Sequence, residues 1–205
     1  MAITSYTDLQ TTIASYLART DLNTMIPTFI DFAEGRLARD LRTRPMLRNV
    51  TSSMPASQAK IALPNDFLAV RDVFIQGNPR EAVTYLTPSA FTRDGRADQS
   101  GKPLYYTVYG TEFVFSPIPD AEYTLELLYY ARPNRLDADT ISNVFLANYP
   151  DALLYASLIE AEPYLMNDAR TSVWGTLYDK AIAAITRSDD EGEFSAVPMA
   201  IKIVR

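Results

Sequence analysis

The sequence predicts an α+β fold: N- and C-terminal helices form a helical bundle, an antiparallel β-sheet module is inserted between them, and an extended C-terminal arm follows. Two observations predict it. Apolar residues recur at helical spacing near both ends of the chain, whereas the middle holds short runs rich in β-branched and aromatic residues, separated by proline, glycine and asparagine. The predicted parts are N-terminal helices at 1–45, a β module at 46–133, C-terminal helices at 134–190 and an arm at 191–205.

The two N-terminal helices are predicted from apolar residues that repeat every three or four positions. The first carries Leu9, Ile13, Tyr16 and Leu17. Ser5 or Thr7 can cap its first turn through a side-chain oxygen. The second opens at residues 21–24, accepts Pro27 near its first turn and runs to about Arg42.

The middle of the chain is predicted to form an antiparallel sheet. The predicted strands are 60–63, 70–75, 82–86, 104–109, 112–115 and 123–130. Gly110 and Thr111 mark a hairpin between the fourth and fifth strands. In the last strand two sets of residues alternate, Tyr123, Leu125, Leu127 and Tyr129 with Thr124, Glu126, Leu128 and Tyr130, which favours a strand.

Helical periodicity returns after Pro133. Tyr149-Pro150-Asp151 is typical of a helix start, because proline fits the first turn and aspartate favours the positive end of the helix dipole. A last helix is predicted to begin at Asn167 or Asp168. Its predicted apolar face consists of Val173, Leu177, Ala181, Ala184 and Ile185, with Trp174 and Tyr178 beside it.

The final segment loses helical spacing after an acidic break that contains Gly192. Its apolar residues stand at nearly alternate positions: Phe194, Val197, Met199, Ile201 and Ile203. Such a segment either adds a strand to its own sheet, packs on its own bundle, or pairs with another protein as an extended arm.

The composition excludes several classes of function. The chain has no histidine and no cysteine, so catalytic triads, cysteine nucleophiles, disulfides and the usual zinc sites are excluded. No phosphate-binding glycine motif is present, and we expect neither a cofactor nor a metal.

The net charge of −6 argues against tight sequence-independent DNA binding. No apolar run is long enough for a membrane span, so no membrane contact is expected. Carboxylate chemistry stays open, with Asp137 and Asp139 as candidate residues of a cell-wall hydrolase.

Several segments in order resemble the head-to-tail adaptor family of tailed bacteriophages over about residues 5–187. They are Leu63-Pro64-Asn65-Asp66-Phe67 before a strand, residues 103–120 with Pro117 and Pro119, residues 123–133, Tyr149-Pro150-Asp151-Ala152-Leu153-Leu154-Tyr155, and a final helix that contains Trp174. Each motif is short, and the resemblance depends on their order and spacing.

The resemblance implies a non-enzymatic virion protein at the head-to-tail junction, made in the cytoplasm of the bacterial host. It implies a ring of identical subunits, usually a dodecamer, that binds the portal protein and presents a docking surface to a downstream tail or nozzle protein. The C-terminal arm is then expected to bind the portal. An alternative is a tail or baseplate protein that binds host glycans through a sheet rich in tyrosine, of which the chain has 13.

Five arginines cluster at the end of the second helix and just beyond: Arg36, Arg39, Arg42, Arg44 and Arg48. Three interpretations stay open. The arginines stabilise a helix C-terminus and pair with Glu34 and Asp40; they contact an acidic surface of the portal or a neighbouring subunit; or they make weak contact with double-stranded DNA passing through the ring channel.

Overall fold

The computed structural model of the protein describes residues 3–19, 21–93, 99–165 and 170–194. Its helices are α1 (Tyr6–Leu17), α2 (Ile26–Asp40), α3 (Pro88–Arg93), α4 (Val144–Asn148), α5 (Pro150–Glu160), α6 (Glu162–Leu165) and α7 (Arg170–Phe194). Its strands are β1 (Leu47–Met54), β2 (Lys60–Ala62), β3 (Phe67–Ile75), β4 (Glu81–Ala82), β5 (Thr84–Tyr85), β6 (Tyr105–Tyr109), β7 (Glu112–Ser116) and β8 (Tyr123–Ala131). The predicted α+β class is confirmed.

The chain divides into two compact units. One, the β unit, comprises Met46–Arg132. The other, the helical unit, combines Met1–Pro45 with Pro133–Arg205. The helical unit is therefore discontinuous in sequence, and its two parts are separated by the whole of the β unit.

The β unit contains two four-stranded sheets in place of the single sheet expected from sequence. The strand order is β1-β8-β3-β4 in the first and β2-β7-β6-β5 in the second. Neighbouring strands in the described residues run antiparallel, except that β5 is parallel to β6. The predicted strand 82–86 is split, because Ala82 pairs with Phe74 in the first sheet and Tyr85 pairs with Tyr106 in the second. One segment therefore connects the two sheets.

Side chains from both sheets meet in one core. The first sheet contributes buried residues that include Val73, Ile75, Leu125, Leu127 and Tyr129, and the second contributes Tyr106, Phe113 and Phe115. The Tyr106 and Phe113 rings lie 5.8 Å apart in an edge-on arrangement that aromatic pairs favour. Burial raises the pKa of Tyr106 to about 12.

Strand β1 is not predicted by the sequence pattern. It pairs with β8 without interruption, from Leu47 opposite Tyr130 to Met54 opposite Tyr123. Its second edge has no strand partner among the described residues. Met54 is the one residue of β1 that is fully buried, so the alternation that normally marks a strand is weak.

Helix α5 is the centre of the helical unit. Helices α1, α2 and α7 all pack against it. Its buried residues are Ala152, Leu153, Leu154, Ala156, Ser157 and Leu158, which occupy successive positions and not a single stripe. A helix that is apolar around its whole circumference is stable only when other helices surround it.

Local signals set the ends of α1 and α2. The Ser5 side chain accepts a hydrogen bond from the Asp8 amide at 3.2 Å, and the Asp8 carboxylate accepts one from the Ser5 amide at 3.1 Å. This reciprocal capping box confirms Ser5 as the helix cap. Pro27 lies in the first turn of α2 as predicted, and the helix ends at Asp40, two residues before the predicted end.

Helix α7 differs from its prediction in two ways. Trp174, Tyr178 and Ala181 are its buried residues, whereas Val173 from the predicted apolar face is 56% exposed. The helix continues to Phe194, so residues 191–194 are helical and not the start of an extended arm. The predicted caps Asn167 and Asp168 lie outside the described residues. Among the helices that the structure describes, none is both long and apolar enough to span a membrane.

The central position of α5 predicts a large loss of stability when its side chains are shortened. Leu158 is fully buried, so Leu158→Ala should lower the free energy of unfolding by about 2–5 kcal/mol. The matched variant Val173→Ala, at an exposed position of the same unit, should change it by less than about 0.5 kcal/mol. Urea unfolding followed by the fluorescence of Trp174, the single tryptophan, reports on this unit. Equal losses for the two variants would contradict the central placement of α5.

Candidate interaction surfaces

Arg36 is used inside the helical unit. Its guanidinium binds the Glu160 carboxylate of α5, with Nε donating to Oε1 at 2.7 Å, and it lies 5.9 Å from the centre of the Tyr178 ring. The expected pairing with Glu34 and Asp40 is not observed. Asp40 instead accepts a hydrogen bond from the Tyr178 hydroxyl at 2.6 Å. Arg36 therefore joins α2 to α5 and α7.

Arg42 and Arg44 also have internal partners. Arg42 donates to the backbone carbonyl oxygens of Ala38 and Leu41, which satisfies acceptors that the end of α2 leaves unpaired. The Arg44 amide and Nε both donate to one oxygen of Asp189 on α7, at 3.0 and 3.1 Å. A Cβ at Gly192 would overlap the Arg44 guanidinium, so glycine at this position leaves room for that side chain.

Arg48 belongs to the β unit. Its Nη1 donates to Asp66 at 2.7 Å, and the other Asp66 oxygen accepts from the Tyr129 hydroxyl at 2.8 Å. Burial and the neighbouring Asp66 carboxylate raise the pKa of Tyr129. Asp66, in the turn before β3, thus links β1 to β8 and has a structural role.

Arg39 is the exception within the cluster. Its side chain is exposed, and it has no ion pair or hydrogen bond within the part of the chain that the structure describes. The five arginines are therefore close in sequence without forming one continuous basic surface. Their expected roles at a partner surface or against DNA stay predictions, and Arg39 is the member whose charge is free for such a contact.

Glu34, which the sequence analysis named only as a partner for the clustered arginines, is a buried carboxylate. The Leu136 amide donates to both of its oxygens at 3.2 Å, and the Asn143 side chain donates to one of them. Asn143 also caps α4 by accepting from the Phe145 and Leu146 amides. Glu34 thereby fixes residues 136–143 to α2. The available signal was its place on the apolar stripe of α2, four residues after Ile30.

Burial is the main cause of an altered pKa at Glu34. It raises the pKa of this carboxyl from 4.5 to about 7, and the hydrogen bonds from Leu136 and Asn143 oppose the rise. The residue is 7% exposed. Glu34 is therefore a titrating group inside the packed unit.

The candidate catalytic pair Asp137 and Asp139 forms a turn. One oxygen of Asp137 accepts hydrogen bonds from the backbone amides of Asp139, at 2.9 Å, and Thr140. These bonds, the one from Thr140 first, lower the pKa of Asp137. A general acid needs a raised pKa, so this geometry suits a turn and does not suit a glycosidase acid.

The predicted arm lies almost wholly outside the described residues. Phe194 is the last residue of α7, and Val197, Met199, Ile201 and Ile203 fall in the part that the structure does not describe. On the β unit, Tyr85 and Tyr109 are the most exposed tyrosines, at 47% and 41%. The Tyr109 hydroxyl lies 3.5 Å from the Pro88 carbonyl oxygen, so it is partly engaged within its own unit.

The helical unit also carries an open groove along α1, with a volume of about 570 Å³. Its lining is Ile3, Asp8, Thr11, Thr12, Ser15, Tyr16 and Leu154. Small hydroxyl side chains form much of the wall, and Leu154 of the central helix forms the apolar floor. We call this feature the α1 groove.

Glu34 predicts a pH-dependent stability with a definite sign. Its folded-state pKa of about 7 exceeds the ordinary 4.5, so the folded chain holds the proton more tightly than the unfolded chain. The contribution of Glu34 to stability is complete below pH 4.5 and is lost as the pH rises through about 7. We compare the unfolding free energy of Glu34→Gln with that of the natural chain at each pH. This difference should shift by about 2–3 kcal/mol in favour of Glu34→Gln when the pH rises from 5 to 8.

Urea unfolding of both proteins at the two pH values measures this difference. Any constant effect of the amide is present at both pH values and cancels, as do the other titrating groups. A difference that is the same at pH 5 and pH 8 would show that Glu34 does not titrate in this range.

Comparison with known proteins identifies the family. The chain matches the family described as SU10 adaptor protein over residues 4–201, which is nearly its whole length. No curated protein matches it. The match confirms the predicted resemblance to phage head-to-tail adaptors. Such a protein interacts with other head and tail proteins of the phage and has a structural, non-enzymatic role. The chain belongs to the SU10 adaptor protein family and is a phage adaptor, a structural component of the virion.

Proposed function

We propose that this adaptor forms a ring of identical subunits, a dodecamer, beneath the portal of a tailed phage and joins the DNA-filled head to the tail. The portal protein binds on one side of the ring, and a downstream tail or nozzle protein binds on the other. The observation that carries the proposal is the family match over residues 4–201. Synthesis takes place in the host cytoplasm before assembly.

The surface of the helical unit supports this proposal. Several large apolar side chains of this unit are exposed: Tyr16, Phe32, Ile141, Tyr164 and Val173, with exposures from 43% to 63%. Aromatic side chains are enriched where protein partners meet. A chain with a packed central helix and apolar groups left on its outside is suited to association with further copies of itself.

Portal attachment is assigned in this proposal to the C-terminal arm. Val197, Met199, Ile201 and Ile203 alternate with other residues, so an extended segment presents them on one side. An extended segment of this kind binds by adding a strand to a sheet or by lying in an apolar groove. Because α7 continues to Phe194, the arm starts at residue 195 and not at 191.

Contact with DNA is weak in this proposal. Four of the five clustered arginines are engaged within their own unit, and the net charge of the chain is −6. Each subunit then offers little free positive charge to phosphates, and affinity for DNA scales with the number of phosphates neutralised. Such a channel allows DNA to pass without holding it.

The glycan-binding alternative has less support. The exposed tyrosines Tyr85 and Tyr109 are on β5 and β6, but the family match is to adaptors. The alternative stays a prediction, and glycan arrays test it directly.

Removal of residues 195–205 tests the assignment of the arm. The truncated chain should keep its Trp174 unfolding transition, because the described core lies before residue 195, and it should lose most of its attachment to portal particles. Electron microscopy of the mixture and co-sedimentation measure attachment. A full-length control with serine at Val197, Met199, Ile201 and Ile203 separates loss of apolar groups from loss of length. Full attachment of both variants would exclude a role for the arm at the portal.

A further inference from the structure

We infer that neighbouring subunits of the ring meet by seating one side of α2 in the α1 groove of the next copy. The seated surface, which we call the α2 ridge, consists of Phe32 and Arg39. This inference rests on the proposed ring and names the surfaces that close it. The occupant of the α1 groove is therefore a second copy of this chain.

The α2 ridge combines an exposed aromatic ring with a free charge. Phe32 is 54% exposed, although the same helix buries Phe29 and Ile30 almost completely. Arg39 is exposed and has no described partner. The two residues are seven positions apart, so they lie on one side of the helix about 10.5 Å from each other. Gly35 lies between them along the helix, and Nη1 of Arg39 lies 3.6 Å from where a Cβ at Gly35 would stand, so the Arg39 side chain extends along this side of α2 toward Phe32.

The α1 groove provides complementary groups. Tyr16 offers apolar surface beside the nearly buried Leu154, and Thr11, Thr12 and Ser15 are small enough for another helix to approach closely. Tyr16 is 45% exposed. An aromatic ring placed in this part of the groove leaves water on contact, which favours association.

Asp8 supplies the charge at one end of the groove. Its Oδ2 accepts three hydrogen bonds, from the Thr4 amide, the Thr4 hydroxyl and the Ser5 amide. Its Oδ1 has no partner among the described residues. The bonds from Thr4 and Ser5 lower the pKa of Asp8, so the carboxylate is charged at neutral pH. A carboxylate with a free oxygen is a suitable partner for an arginine that has none.

The spacing on the two surfaces agrees. Asp8 and Ser15 are seven residues apart on α1, as Phe32 and Arg39 are on α2. When the two helices run antiparallel, Arg39 reaches Asp8 and Phe32 reaches the groove beside Ser15 and Tyr16. In the ring each copy uses its ridge on one neighbour and its groove on the other, which is a heterologous contact. Repetition of a heterologous contact continues beyond a dimer, and it gives a ring when the rotation between copies closes.

Cross-linking tests the pairing directly, because the chain has no natural cysteine. Phe32→Cys protein mixed with Ser15→Cys protein should be joined by a bis-maleimide that spans the roughly 8–10 Å between packed helix axes. Neither variant alone should form comparable cross-links. Ala183→Cys, at an exposed position of α7, is the control partner for Ser15→Cys and should remain unlinked.

Charge reversal tests the polar half of the contact. Arg39→Glu should weaken ring formation by about tenfold or more, since it places two carboxylates together. Lys180→Glu makes the same charge change on an exposed part of α7 and should leave ring formation unchanged. The double variant Arg39→Glu with Asp8→Lys restores a pair of opposite charges. It should form rings better than either single variant does.

The outcomes separate this inference from the proposed function. Normal rings from Arg39→Glu protein, without a mixed Phe32–Ser15 cross-link, would overturn the ridge and groove while the ring stands. Cross-links from Phe32→Cys protein alone would show a symmetric contact and would also overturn it. Absence of any ring from the natural chain, with or without portal, would overturn the proposed function and this inference together.

Discussion

The antiparallel pairing of β1 with β8 holds the two ends of the inserted β unit beside each other. Leu47 at the start of β1 faces Tyr130 at the end of β8, so the chain enters and leaves the unit on adjacent strands. The helical unit depends on this pairing, because α1 and α2 precede the insertion and α5 and α7 follow it. A flexible loop of the same length would lose conformational entropy when its two ends are brought together. A folded insertion whose ends are already adjacent loses that entropy when it folds itself.

The sequence predicts the elements that have a strong internal period. Helices α1 and α2 show apolar residues every three or four positions, and their stripes are buried as expected except at Tyr16, which is 45% exposed. Strand β1 was missed because it is an edge strand with one fully buried side chain, and Val173 was misplaced because α7 buries only a narrow stripe against α5. The apolar period of a helix or strand reflects how much of its surface is buried. An element with only a narrow buried face therefore shows a weak or displaced apolar pattern in the sequence.

The interaction surfaces were harder to predict than the fold. Five arginines within thirteen residues suggest one basic surface, yet Arg36 binds Glu160, Arg44 binds Asp189 and Arg48 binds Asp66. Each partner is distant in sequence or lies in a turn, so one-dimensional spacing could not identify it. The position of Glu34 on an apolar stripe was visible in the sequence. Its hydrogen-bond donors Leu136 and Asn143 were not, because they lie about a hundred residues away. The tertiary structure determines whether a charged side chain pairs within the chain or stays free for a partner.

The discontinuity of the helical unit also sets when the protein can assemble. During synthesis α1 and α2 emerge first, the β unit can fold next, and the central α5 arrives only with residues 150–160. The α1 groove takes its floor from Leu154, so a nascent or prematurely terminated chain that stops before α5 has no complete docking surface. In the proposed ring such a chain cannot receive the α2 ridge of a neighbour, so the order of translation would act as a check on the completeness of each subunit.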